Sequence, residues 1–157
     1  MPNELERLHG NAEENQVEIC EKHLPDGLKG LYCDGHIRLE KALTQSEKTC
    51  VLAEELGHHH TSYGIIFNQH NLAAVKQEAR ARRWAYDRLL RIDDLIAAYE
   101  AGISSRAELT EYLNLTEDFI AQALTYFKTV NGPHLSRKGY IITFDPLLIC
   151  KPLNNDE

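Results

Sequence analysis

The sequence predicts a mainly helical α+β fold: a single domain with a short β-hairpin and a small helical C-terminal part. Three observations lead there. Apolar residues recur at helical spacing in several segments after residue 44. One Asp34-Gly35 pair sits between two short alternating runs. And 157 residues, 43% of them hydrophobic, suffice for one core without disulfides or structural metal. Composition also limits the chemistry. With 17 Lys and Arg against 24 Asp and Glu the net charge is −7, which disfavours a sequence-independent grip on nucleic acid. The four cysteines, Cys20, Cys33, Cys50 and Cys150, form no C-x-x-C pair, so neither a zinc knuckle nor a dithiol redox motif is available. No apolar run approaches the ~20 residues of a membrane span, and residues 1–8 do not read as a secretory leader. A cytoplasmic protein is expected, with no membrane partner.

Residues 4–24 are polar with sparse apolar positions (Leu5, Leu8, Val17, Ile19) and predict one or two short helices, interrupted at Asp26-Gly27 and Gly30. Residues 28–39 set Leu31, Tyr32, Ile37 and Leu39 around the Asp34-Gly35 turn signal and predict the hairpin. Thr44 or Ser46 is a good N-cap for a helix over 46–60. A loop with Gly64 is expected over 61–71, then a helix over 72–91. Shorter helices follow over 93–101, closed by Gly102, over 104–113, and over 116–130, closed near Asn131-Gly132. A strand is predicted over 140–144. The organisation expected is a core over residues 1–100 and a helical part over 101–157.

The informative segment is Glu54-Glu55-Leu56-Gly57-His58. Residues four apart on a helix differ by about 40° around its axis, so Glu54 and His58 can reach one metal ion from the same face. In the H-E-x-x-H arrangement two ligands one turn apart hold zinc and the Glu beside the first is general base toward water. Here a carboxylate stands in place of the first His, itself a competent zinc ligand, and Glu55 takes the place of the base. A third ligand is needed. The extension with Gly three and His six residues beyond fails, because those positions hold Thr61 and Gly64. Glu78, on the next helix, is the candidate: Ala81, Ala85 and Leu89 fall within about 60° of it, whereas Lys76, Arg80, Arg83, Asp87 and Arg91 lie about 140–220° away. A carboxylate on the small, apolar face calls for a positive partner, which a metal ion supplies and which Arg82, one turn beyond, also offers.

Together these residues resemble the ImmA/IrrE family of metallo-endopeptidases, gluzincin-like proteins of phages, integrative elements and bacterial chromosomes. The likeness rests on Gly30-Leu31-Tyr32 with Ile37, on Leu52-Ala53-Glu54-Glu55-Leu56-Gly57-His58, and on Glu78-x-x-Ala81-x-x-Trp84-Ala85. It implies a zincin-like, gluzincin-type fold, metal ligands at Glu54, His58 and Glu78, and a general base at Glu55. It implies Zn2+ or another divalent ion as cofactor, and a protein substrate that is a phage-type or mobile-element helix-turn-helix repressor. A binding protein that displaces such a repressor without cutting it is the alternative.

Other residues carry milder expectations. His59 and His60 turn away from Glu54 and His58 and are expected as surface or packed imidazoles, and Tyr63 and His70 as ordinary loop residues. Residues 76–91 hold six basic and two acidic side chains, a solvated face or a docking face for an acidic partner. Residues 103–128 have a helix-turn-helix look, but Glu108, Glu111, Glu117 and Asp118 stand there against Arg106 and Lys128, so direct nucleic-acid binding is not expected.

Overall fold

The computed structural model describes residues 3–61 and 72–152, and the fold is the expected mainly helical α+β class. Contacts gather into two compact units: Met1–Leu89 with Asn114–Thr116, and Leu90–Leu113 with Glu117–Glu157. The loop expected over 61–71 lies outside the described residues from position 62 onward, and Tyr63 and His70 with it. Among the described residues no helix is long and apolar enough to cross a membrane.

In the first unit, helix α1 (Glu4–Glu14) starts at Asn3, whose side chain accepts from the Glu6 N–H at 2.9 Å while the Glu6 carboxylate accepts from the Asn3 N–H at 2.9 Å. This reciprocal box satisfies two of the amides a helix start leaves open. A three-stranded sheet follows, β1 (Glu18–Lys22), β2 (Gly30–Cys33) and β3 (His36–Glu40), in the order β1-β3-β2. The β2–β3 hairpin turns at Asp34 and Gly35, with φ of 45° and 79°. A two-residue turn with both φ positive matches the twist of the strands it joins, which is why Asp-Gly is favoured there. Ile37 and Leu39 on β3 are fully buried.

Helix α2 (Gln45–Thr61) resolves the choice of N-cap. Thr44 Oγ1 accepts from the Glu47 N–H and the Glu47 carboxylate from the Thr44 N–H, each at 3.2 Å. Its buried positions, Thr49, Cys50, Leu52, Ala53, Leu56 and Gly57, line one side, and Thr49 satisfies its hydroxyl on the Gln45 carbonyl at 2.9 Å. Helix α3 (Leu72–Leu89) packs on α2 through Ala81 and Ala85, both fully buried, with Tyr86 and Leu89 nearly so. The contact is backbone-close: a Cβ at Gly57 would collide with the Ala81 carbonyl. Residues 114–116 complete this unit, Ser46 Oγ donating to Asn114 Oδ1 at 2.8 Å.

The second unit holds α4 (Ile92–Glu100), α5 (Arg106–Leu113), α6 (Glu117–Asn131) and an antiparallel sheet β4 (Leu135–Arg137), β5 (Tyr140–Phe144), β6 (Leu147–Cys150) in chain order. Gly102, with φ 85°, closes α4, and the Ile103 N–H reaches back to the Ala98 carbonyl at 3.0 Å. Ser105 caps α5, its hydroxyl accepting from the Glu108 N–H at 3.1 Å. Phe127 of α6 and Phe144 of β5 meet in the core with ring centres 5.9 Å apart.

Two segments depart from the sequence reading. Residues 18–22 form a parallel strand on β3 where a short helix was expected. Gln16 ends the helical run with φ 58°, and the two apolar residues beyond it, Val17 and Ile19, are spaced by two and not by helical steps. The predicted strand over 140–144 has partners on both sides. Lys138 and Gly139, with φ of 52° and 80°, form a second two-residue turn that joins it to β4.

The Gly57 contact makes a paired prediction. Gly57→Ala should lose about 1–3 kcal/mol of stability by overpacking. Gly10→Ala, inside α1 with nothing within 4 Å of its would-be Cβ, should gain about 0.5–1 kcal/mol. Urea unfolding of both variants checks this, and equal midpoints would remove the close approach as a constraint.

Candidate functional site

The C-terminal half of α2 carries Glu54, Glu55 and His58, and the Gly57 contact brings α3 close enough for Glu78 to reach across. His58 Nε2 lies 2.9 Å from Glu78 Oε2, donating its proton to the carboxylate. The other Glu78 oxygen lies 3.5 Å from Arg82 Nε, the partner within the helix that stood as the alternative to a metal ion. The hydrogen bond to Glu78 raises the His58 pKa against the opposing effect of burial, and the same bond holds the Glu78 carboxyl below the usual range.

Glu54 and Glu55 are half-buried. Burial raises the Glu54 pKa, Arg82 works against that rise, and the Glu78 charge adds to it. Glu54 has no hydrogen-bond partner among the described residues. Glu55 is pushed up to about 7, first by burial, with His58 opposing and the charges on Glu54 and Glu78 assisting. Its side chain lies under β2, where Gly30 faces it: a Cβ on Gly30 would sit 3.1 Å from Glu55 Cγ and Oε1 and 2.5 Å from Val51 Cγ1. The strand is thus glycine at the point where it crosses the carboxylate.

Among the described residues no three His, Cys, Asp or Glu side chains converge as a ready metal-holding group. His58 and Glu78 meet, and Glu54 stands one turn before His58 without closing onto them. The donor chemistry nonetheless fits a divalent ion. His58 and Glu78 share a proton on the atoms that would ligate, and Glu54 is a half-buried carboxylate with no hydrogen bond among the described residues, a state that a cation would relieve. Two carboxylates and a neutral imidazole also balance a divalent charge.

Sequence reasoning missed Tyr86, which is nearly buried on α3 two turns past Glu78. Its phenol is raised by burial and then by the Glu54 charge, with Arg82 opposing and Glu78 adding. The available signal was a tyrosine among the alanines of an otherwise apolar helix face. His59 and His60 are packed imidazoles. Tyr32 accepts from the Gly35 N–H at 3.3 Å, leaving its own proton for His59 Nδ1 at 2.7 Å. His60 donates Nε2–H to Asn11 Oδ1 at 2.9 Å and stacks on Trp84, ring centres 4.8 Å apart. These contacts fasten the hairpin, α1 and α3 to the end of α2 that carries the site. Tyr32→Phe, which removes one such fastening, should cost about 0.5–1.5 kcal/mol by urea unfolding. No change would make the Tyr32–His59 bond incidental.

The peptidase M78 family model, described as an IrrE N-terminal-like domain, matches residues 12–125. No curated protein and no solved structure matches the chain. The matched stretch is well over half of the chain and contains Glu54, Glu55, His58 and Glu78. The family is of metallopeptidase type, which implies a metal cofactor. On the strength of that match, and of a helix pair that brings an E-E-x-x-H segment against a glutamate, the chain belongs to the peptidase M78 family through its IrrE N-terminal-like domain.

Proposed function

We propose that this protein is a metal-dependent endopeptidase that cuts a helix-turn-helix transcriptional repressor of a phage or mobile element. The observation that carries the hydrolytic part is the meeting of His58 with Glu78 across α2 and α3, with the Glu55 carboxylate pushed up to about 7 on the same helix turn as Glu54. Glu54, His58 and Glu78 would hold a divalent ion, zinc being the first choice, which would supply Lewis acidity toward the scissile carbonyl and water.

The chain's own residues do the rest. Glu55 takes the proton of the attacking water on its carboxylate and returns it to the leaving amine nitrogen. In the metal-free chain the Glu78 carboxylate, which also faces Arg82, holds His58 Nε2 toward α3 by a hydrogen bond, whose place the ion would take. Strand β2 is at the edge of its sheet and crosses Glu55 at Gly30. Its outer edge, unpaired among the described residues, can take an extended substrate segment by backbone hydrogen bonds, and a side chain at position 30 would crowd the base. The choice of a repressor as substrate rests on the resemblance to the ImmA/IrrE proteins, and direct nucleic-acid binding has no part in it.

Elemental analysis of the purified protein should give one divalent ion per chain. His58→Ala and Glu78→Ala should each lower metal affinity by about tenfold or more. Glu55→Gln should keep metal and fold while turnover falls about 10²–10⁴-fold. Wild-type metal loading in both ligand variants, or an active Glu55→Gln, would defeat the assignment. Co-expression with a repressor encoded beside it, followed by blotting for fragments, tests the substrate. Fragments that vanish with Glu55→Gln are expected. A repressor that leaves its operator uncut would mean that the chain acts by binding, and one neither cut nor displaced would remove the repressor from the reading.

A further inference from the structure

The outward face of α3 is unused by the proposed chemistry. Lys76, Arg80 and Arg83 are all exposed and stand at i, i+4 and i+7. They therefore lie within about 60° of one another around the axis and about 10.5 Å along it, roughly 140–200° away from Glu78. None of the three has a carboxylate partner among the described residues, and the hydrogen bond made by this stripe, Arg80 Nε to the Lys76 carbonyl at 3.3 Å, stays within the helix. Two other cations of α3 are occupied: Arg82 lies on Glu78, and Arg88 lies over the Trp84 ring, 5.9 Å from its centre.

Unpaired like charges one turn apart weaken a helix, and cations in its N-terminal half oppose the helix dipole. Acidic side chains outnumber basic ones in this chain by 24 to 17, yet the stripe carries a single acid, Asp87, one turn beyond Arg83, and keeps a net positive charge. A row of cations at i, i+4 and i+7 complements carboxylates set one turn apart on a partner helix. Phosphate is the poorer fit, because a chain of net charge −7 repels a polyanion whose charge extends well beyond three cations.

We propose that Lys76, Arg80 and Arg83 form a docking surface for an acidic helical segment of the protein substrate, on the side of α3 away from the hydrolytic residues. This rests on the proposed function for the identity of the partner as substrate, while the surface itself can be tested without hydrolysis. A small endopeptidase gains selectivity when part of the binding energy comes from a contact remote from the scissile bond, and three charge pairs provide that contact with fast, salt-sensitive association.

The test uses the purified full-length chain and three fluorescein-labelled probes: an alanine-rich helical peptide with glutamates at i, i+4 and i+7, its glutamine counterpart, and a short DNA duplex. Fluorescence anisotropy should show the glutamate peptide bound and the glutamine peptide not, with binding weakening several-fold from about 50 to about 200 mM salt. Lys76→Glu/Arg80→Glu/Arg83→Glu should bind about tenfold or more weakly. The neutral set Lys76→Gln/Arg80→Gln/Arg83→Gln, checked for fold by circular dichroism, serves if the reversed chain does not fold. Equal binding of the two peptides, tighter binding of the duplex, or unchanged affinity in the folded variants would overturn the surface. Glu55→Gln should bind the glutamate peptide as wild type does. Peptide binding without hydrolysis by the metal-loaded wild type would thus count against the proposed function alone, and hydrolysis without peptide binding against the docking surface alone.

Discussion

The first unit's chemistry depends on the close approach of two backbones at Gly57. Only a residue without a Cβ lets α2 come that near to the Ala81 carbonyl, and Gly57 directly precedes His58 in the chain. The small side chains opposite, Ala81 and Ala85, are fully buried, so the approach is sealed and not an open groove. At ordinary helix spacing, about 8–10 Å between axes, an imidazole on one helix and a glutamate on the other need longer reach or bridging water. Here they meet at 2.9 Å. Glu55, on the other flank of α2, is crossed by β2 at a second glycine, Gly30. Glycine therefore stands at two close approaches around the site, one between helices and one between helix and sheet.

Much of this was legible because helical geometry is local. The E-E-x-x-H spacing fixes how Glu54, Glu55 and His58 are displayed, and the alanines around Glu78 fix which way α3 faces, before any tertiary contact is known. The Asp34-Gly35 turn was legible for a similar reason, since two consecutive positive φ values are a demand that few dipeptides meet. What escaped was non-local. Strand β1 has little alternation of its own and is a strand because β3 offers it a parallel partner, a pairing its own sequence does not encode. The Lys138-Gly139 turn went unread because β4 is three residues long, too short for a periodic signal. Tyr86 is buried by the packing of α3, eight residues past Glu78, beyond the reach of a motif.

The electrostatics of the site follow from the number of carboxylates placed around one imidazole. Three glutamates and one histidine share a half-buried space, so each carboxylate raises the proton affinity of its neighbours unless a cation answers it. Glu78 escapes because His58 and Arg82 both face it. Glu54 and Glu55 do not, and burial pushes both up. A site with one carboxylate already paired and two left raised is asymmetric in a useful direction: the paired group is fixed as a ligand, and the raised groups have most to gain from added positive charge. Compared with a histidine-rich centre, two ligating carboxylates would cancel the ion's charge and leave water near it less acidic.

Helix α3 shows how one segment serves two opposed demands. Its inward face must be small to admit α2, and it carries a single acid, Glu78, aimed at His58. Its outward face carries cations at the same helical period. A carboxylate on the inner face needs positive charge nearby, and Arg82, one turn on, supplies it without leaving the helix. Lys76, Arg80 and Arg83 are not needed for that purpose and lie on the far side, where water screens them from Glu78. Had the helix required cations only to balance its one inward acid, Arg82 would have sufficed. The three that remain share the outer face with one acid, Asp87, and leave it net positive in a chain that otherwise favours acid. Their position separates recognition from hydrolysis: substitutions on the outer face leave the Gly57 contact and the His58–Glu78 pair in place, so partner choice can change without rebuilding the site.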